Sequence, residues 1–130
     1  MDVTLTGETR LYYIVGDPIA QVKSPPSLTA ILVERGANAL VVPAHVSTDD
    51  LDLFMRAARA TRNVDGIVVT VPHKLAALAH CDEATERAQF AGSTNVMRRG
   101  ADGVWRGDNT DGQGYMDGIK ACGFDVAGKT

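Results

Sequence analysis

Hydrophobic positions follow two alternating spacings along the first half of the chain. Short apolar runs that end at turn-forming residues are typical of buried strands, and they occur at residues 11–15, 39–42 and 67–71. Between these runs, apolar residues recur at i, i+3 and i+4, which predicts amphipathic helices. The first helix is expected to begin at Ser24, with its hydroxyl as the N-cap before Pro25, and to end near Gly36.

The second predicted helix carries a longer apolar stripe. Ser47 or Thr48 is expected to cap it, and its apolar stripe comprises Leu51, Phe54, Met55 and Ala58. A turn at Asp65 and Gly66 then leads into the third strand. The order strand–helix–strand–helix–strand predicts an α/β fold, with a mostly parallel sheet and helices on both faces.

The second half of the pattern predicts shorter elements. These are helices at 74–80 and 84–90, a β-hairpin with strands at 94–98 and 104–108, and a last helix at 111–122 that Thr110 would cap. Together the elements predict a three-layer α/β domain with a hairpin late in the chain. Ligands of such sheets bind at the carboxyl ends of the strands, which directs attention to residues 16–24, 70–74, 95 and 108–111.

Composition excludes several classes of function. The 130 residues carry a net charge of −3, so no basic surplus is present to bind nucleic acid. No apolar run reaches the ~18–20 residues of a membrane helix, and the first residues do not resemble a secretory signal. Cys81 and Cys122 are far apart and no histidines are closely spaced, so we expect no disulfide framework and no metal site. These features indicate a cytoplasmic protein.

One motif at the end of the chain is misleading. Residues 123–130 match the phosphate-binding pattern G-x-x-x-x-G-K-[ST]. That pattern needs a strand before it and a helix after it, whose N-terminal amides hold the phosphates. Here a predicted helix precedes the motif and no sequence follows it, so we do not interpret it as a nucleotide site.

Four short motifs lie at the predicted strand ends. They are G-D-P-I at 16–19 followed by S-P at 24–25, V-T-V-P-H-K at 69–74, G-S-T-N at 92–95 and D-N-T-D-G at 108–112. Together they resemble the substrate-binding N-terminal domain of the shikimate dehydrogenase family, whose patterns are Ser-x-Ser-Pro, Asn-Val-Thr-Val-Pro-x-Lys, Gly-x-x-Asn and Asn-Thr-Asp-Gly. The resemblance extends from about residue 11 to the end of the chain.

The resemblance implies that Lys74 and Asp111 are the catalytic pair, which transfers a proton to or from the substrate oxygen. This agrees with the chemistry, because a hydroxyl that is oxidised by hydride transfer must also lose its proton. A carboxylate at a helix N-terminus stays ionised, and an anion near a lysine keeps the lysine charged. Considered singly, Lys74 is also consistent with a solvated surface lysine and Asp111 with a helix-cap carboxylate.

The resemblance also implies substrate contacts. Ser24 would bind the carboxylate of a polyhydroxy cyclohexene acid, and Thr70 and Asn95 would bind its ring hydroxyls. Each has a simpler structural interpretation: a helix cap for Ser24, a strand residue for Thr70 and a turn residue for Asn95. His73 is a further candidate for the wall of the pocket.

The resemblance implies a second, NADP-binding domain that this chain does not contain. Residues 1–123 would form the substrate-binding catalytic domain, and residues 124–130 would begin the connection to the dinucleotide-binding domain. No glycine-rich dinucleotide fingerprint occurs in the chain. We therefore expect the chain to bind no NADP and to be inactive alone, as one half of an enzyme that interconverts 3-dehydroshikimate and shikimate in aromatic amino acid biosynthesis.

Two positions depart from the family patterns. Val22 stands where the first serine of Ser-x-Ser-Pro is expected, and Val68 stands where the asparagine before Val-Thr-Val-Pro is expected. Each change removes a polar contact and adds an apolar wall. A quinate dehydrogenase-like enzyme, another paralogue with a different hydroxy-acid substrate, and a non-catalytic small-molecule binding module therefore remain alternatives.

Overall fold

The computed structural model describes residues 4–110, and within this range a six-stranded sheet carries the helices. The elements are β1 (Arg10–Gly16), α1 (Ser24–Glu34), β2 (Ala39–His45), α2 (Leu51–Ala60), β3 (Val64–Val69), α3 (Lys74–Ala77), β4 (Glu83–Ala84), α4 (Glu86–Ala91), β5 (Val96–Arg99) and β6 (Trp105–Asp108). Asp111, the predicted helix at 111–122 and the motif at 123–130 lie outside the described residues. No helix among the described residues is long and apolar enough to cross a membrane.

The strand order is β2-β1-β3-β5-β6-β4. β1 pairs in parallel with β2 and with β3, and β4 pairs in parallel with β6. β5 pairs antiparallel with β3 and with β6, which makes β5 and β6 the expected hairpin. The prediction of a mostly parallel α/β sheet with a late hairpin is therefore confirmed.

The main core lies between α2 and one face of the sheet. From the helix, Leu51, Met55 and Ala58 are buried, as the apolar stripe predicts. From the sheet, Val15 and Ile67 are almost fully buried in the same cluster. Burial of each large aliphatic side chain contributes about 1.5–3 kcal/mol, so this stripe fixes α2 on the sheet.

The opposite face of the sheet is covered differently. Ala39 and Val41 of β2 are buried but lie outside the α2 core, and α1 packs on this strand. The Val41 amide donates a hydrogen bond to the buried Thr29 hydroxyl of α1, at 3.0 Å. Ile14 of β1 and Val68 of β3 are neighbours across the parallel pair and face the same side. Because side chains alternate along the strands, the sheet has two apolar faces, and helices pack on both of them.

The first helix differs from its prediction at the N-terminus and agrees with it at the C-terminus. Lys23, not Ser24, is the N-cap, and no side chain caps the helix. Prolines occupy the first turn and lack N–H groups, so a capping hydroxyl has fewer donors to accept from. At the other end Gly36 takes a positive φ of 83° after the C-cap Arg35, and this left-handed residue ends the helix as predicted.

The second helix also begins differently. A 3₁₀ turn at Thr48–Asp50 precedes α2, and neither Ser47 nor Asp50 makes a side-chain cap. Expectations of a Ser47 or Thr48 hydroxyl cap on this helix are therefore wrong.

The expected turn at Asp65 and Gly66 is wrong, because both residues lie inside β3. Gly66 pairs with Tyr12 of β1, and a Cβ at Gly66 would lie 2.8 Å from Cδ1 of the tyrosine ring. The Asp65 carboxylate accepts hydrogen bonds from the guanidinium of Arg10, the first residue of β1. Gly66 therefore allows β1 and β3 to approach closely and does not form a turn. The strand β3 begins and ends earlier than the apolar run at residues 67–71 suggested.

Substitution of Gly16 tests how closely the carboxyl ends of β1 and β3 pack against each other. A Cβ at this residue would lie 2.5 Å from Cγ2 of Thr70 and 3.2 Å from the Val71 carbonyl oxygen. Because part of this contact is backbone, we expect Gly16→Ala to lower the free energy of unfolding by about 1–3 kcal/mol in urea denaturation. At Gly7 an added Cβ would meet nothing within 4 Å, so Gly7→Ala is the matched control. Equal stability of the two variants would contradict the close packing.

Candidate substrate-binding site

A cavity of about 250 Å³ opens at the carboxyl ends of β1 and β3. Its lining consists of four of the predicted polar site residues and four aliphatic residues: Ser24, Thr70, Lys74, Asn95, Ile14, Val22, Val68 and Val69. The structure thus brings together every predicted substrate contact and one member of the predicted catalytic pair. The other member, Asp111, lies outside the described residues.

Backbone hydrogen bonds position the polar residues of the cavity. Thr70 directly follows β3, and its amide donates to the Val15 carbonyl of β1 at 3.0 Å. Lys74 is the first residue of α3, and its carbonyl accepts from the Thr94 amide at 2.9 Å. The Asn95 carbonyl accepts from the Val69 amide at 2.8 Å. The three segments that carry these side chains are therefore joined through main-chain bonds, which keeps the cavity wall in one geometry.

Asn95 makes a second connection that the sequence did not indicate. Its side-chain nitrogen donates to the Thr110 hydroxyl at 2.9 Å, and its side-chain oxygen accepts from the Thr110 amide at 3.0 Å. The sequence suggested only a helix cap for Thr110. The structure instead holds residue 110 against the cavity wall through both polar atoms of Asn95. In the sequence, the position of Thr110 inside the D-N-T-D-G motif was the signal that could have indicated a role at the site.

Asp108 organises the turn between β6 and Thr110. Its carboxylate accepts hydrogen bonds from the Arg87 guanidinium, from the Thr85 hydroxyl at 2.7 Å and from the Asn109 amide at 2.8 Å. The Arg87 hydrogen bond, followed by that of Thr85, holds the pKa of Asp108 well below its usual range. Asn109 in turn donates to the Ser93 hydroxyl at 2.8 Å. The end of β6 is therefore fixed by charge and by hydrogen bonds.

His73 does not line the cavity, so that interpretation is wrong. Its side chain is fully buried, and Nε2 lies 2.6 Å from the carbonyl oxygen of Val46. The contact connects the start of α3 to the segment after β2. In the part of the chain that is described, no three His, Cys, Asp or Glu side chains are grouped to hold a metal ion.

A larger cavity, of about 510 Å³, lies beside α2. Its polar lining includes His45 and Asp17, with His45 Nε2 2.6 Å from Asp17 Oδ1, and its apolar lining includes Leu53 and Phe54. Of these two cavities, the smaller gathers a lysine, two hydroxyls and a carboxamide, which are the groups that orient a small oxygenated ligand. We therefore take the smaller cavity as the candidate site.

The turn after β1 differs from a dinucleotide-binding turn. Such cofactors rest their pyrophosphate on a glycine-rich turn and on the free amides of the following helix. After β1, Gly16 is packed against Thr70, and α1 has prolines in its first turn. The turn between β1 and α1 therefore lacks the features of a dinucleotide-binding turn.

Comparison with known proteins identifies the family. The family model described as "Shikimate dehydrogenase substrate binding domain" matches residues 14–97. The chain belongs to this family. The shikimate dehydrogenase (NADP(+)) of Microcystis aeruginosa is 32% identical over 121 residues, which are 93% of this chain and 42% of that protein. The chain thus spans about two fifths of the length of this curated relative.

Solved structures agree with this membership. Shikimate 5-dehydrogenase from Listeria monocytogenes, in complex with shikimate and NAD, has a TM-score of 0.87 and 28% identity, covering 97% of this chain and 43% of that one. The 5-ketofructose reductase of Gluconobacter sp. strain CHM43 has a TM-score of 0.78 and 26% identity, covering 87% of this chain and 40% of that one. The family resemblance drawn from the four motifs is therefore confirmed.

The ion pair between Arg87 and Asp108 makes the free energy of unfolding depend on pH. We expect Asp108→Asn to lower the free energy of unfolding at pH 7 by about 1–2 kcal/mol, since charge-assisted hydrogen bonds are lost but Arg87 is half-exposed. Because the folded pKa is depressed, wild type keeps this advantage above the ordinary carboxyl pKa of about 3.9. The difference should shrink as the pH falls below that value.

Urea denaturation at pH 7 and pH 3 measures this difference. The control is Asp49→Asn, which removes an exposed carboxylate from the 3₁₀ turn before α2. A difference of the same size at both pH values would contradict the assignment.

Proposed function

We propose that the chain is the substrate-binding half of an NADP-dependent oxidoreductase that interconverts a hydroxyl and a keto group on a cyclic hydroxy acid of the shikimate class. The observation that carries the proposal is the meeting of Ser24, Thr70, Lys74 and Asn95 around one cavity at the carboxyl ends of the strands. The domain would comprise residues 1–123, and residues 124–130 would lead to the cofactor domain. The reaction would take place in the cytoplasm.

Lys74 is the proposed proton-handling group of the described cavity. Its ammonium carries three donors and is half-buried at the start of α3, where it can contact the reacting oxygen. In the direction of reduction, Lys74 would donate a proton to that oxygen, and in the direction of oxidation it would take the proton back. Asp111 is proposed as its catalytic partner from the sequence motif. Its neighbour Thr110 is bonded to Asn95, which also lines the cavity.

Ser24 is the proposed carboxylate contact. It is exposed at the first position of α1, where the helix dipole favours an anion. Prolines in this turn supply no N–H groups, so the serine hydroxyl would donate to the carboxylate in their place. Thr70 and Asn95 would bind other oxygen substituents of the ring.

The hydride would come from a nicotinamide carried by a domain beyond the described residues. When bound, NADP supplies hydride acceptance and donation, and catalysis needs it held close to the substrate. The residues of this chain would bind the acid, orient its reacting carbon and exchange the proton at its oxygen. The chain alone would therefore bind substrate without turning it over.

Removal of the Lys74 charge tests the proposal. We expect Lys74→Met to weaken binding of shikimate to the 130-residue chain at least about tenfold in isothermal titration calorimetry, because a charge-assisted hydrogen bond is lost. Lys23→Met is the matched control, since Lys23 is exposed and does not line the cavity. Equal weakening by both variants would contradict a specific role for Lys74. Oxidation of shikimate by the isolated chain with NADP would contradict its assignment as the substrate half.

A further inference from the structure

The side chains that line the cavity include an aliphatic set, here called the floor (Ile14, Val22 and Val68), and a polar set, here called the rim (Ser24, Thr70, Lys74 and Asn95). Ile14 and Val68 form the floor side by side, because they are register partners in the parallel pair of β1 and β3. Val22, from the segment before α1, adds a third aliphatic wall. Ile14 is buried, whereas Val22 and Val68 are half-buried and available to a ligand.

The rim carries all of the polar side chains of the cavity. Thr70 lies two residues beyond Val68 at the strand end, and Lys74 and Ser24 begin the helices α3 and α1. Asn95 completes the rim and is bonded to Thr110. A ligand that enters this cavity therefore meets both hydrogen-bonding groups and hydrocarbon side chains.

This division penalises a ligand that is hydroxylated on every side. A hydroxyl turned to Val22 or Val68 would lose its hydrogen bonds to water and find no partner on the valine. A CH or CH₂ group at the same place would gain from apolar burial instead. The floor thus selects against oxygen at the ring positions that lie over it.

We propose that the preferred substrate is a cyclic keto or hydroxy acid with one oxygenated edge and one hydrocarbon edge, and that Val22 and Val68 determine this specificity. The inference rests on the proposed function. The carboxylate and the reacting oxygen meet the rim at Ser24 and Lys74, while the deoxygenated edge lies on Val22 and Val68. Such an acid carries fewer ring hydroxyls than shikimate, which has three.

The test compares two ring acids on the 130-residue chain by isothermal titration calorimetry. One is shikimate and the other is 3-hydroxycyclohex-1-ene-1-carboxylate, which keeps the carboxylate and a single hydroxyl. We expect the monohydroxy acid to bind at least about tenfold more tightly, or about 1.4 kcal/mol. Equal or tighter binding of shikimate would overturn the proposal.

Val68→Thr sharpens the comparison because it exchanges a methyl group for a hydroxyl at nearly constant volume. It should shift the ratio of the two affinities toward shikimate by about tenfold. Val96→Thr is the matched control, since Val96 is the β5 partner of Val68 and does not line the cavity. An unchanged ratio in Val68→Thr, or the same shift in Val96→Thr, would overturn the specificity role.

Lys74→Met separates this inference from the proposed function. If both acids bind wild type and both weaken in Lys74→Met, but their affinities are equal, only the specificity inference fails. If neither acid binds wild type, or if Lys74→Met leaves both affinities unchanged, the proposed function fails together with the inference.

Discussion

The contact between the carboxyl ends of β1 and β3 is the constraint on which the candidate site depends. Gly16 is pressed against Thr70 so closely that a side chain would not fit, and the Thr70 amide is bonded to Val15. The Asp17 amide adds a bond to the Val71 carbonyl at 3.1 Å. Parallel pairing thus continues into both loops, and it brings the segment before α1 and the segment before α3 to one cavity.

A second set of bonds extends this constraint to the hairpin. The Asn95 carbonyl accepts from Val69 of β3, and the Asn95 amide donates to the Asp108 carbonyl of β6. Asp108 is held by Arg87, so the end of β6 cannot shift without loss of an ion pair. The polar rim is consequently built on strand ends and short helices instead of on independent loops, which favours precise positioning of a small ligand.

The sequence predicted the local elements better than the contacts between them. Runs such as residues 11–15 and the stripe of α2 identify strand and helix because burial acts directly on their periodicity. Gly66 was misinterpreted because its role, a close approach to Tyr12, depends on a strand more than fifty residues away. The Asn95–Thr110 pair and the burial of His73 are likewise contacts between distant segments. The cavity itself was predictable, since strand-end geometry and the family motifs pointed to the same four residues.

Mapping of ligand contacts on the 130-residue chain tests the central claim most directly. We would titrate shikimate into the ¹⁵N-labelled chain and follow the backbone amide shifts. The account predicts that the largest shifts occur at Thr70, Lys74 and Asn95, around the smaller cavity. Shifts confined to Asp17, His45 and Phe54, around the larger cavity beside α2, would contradict it.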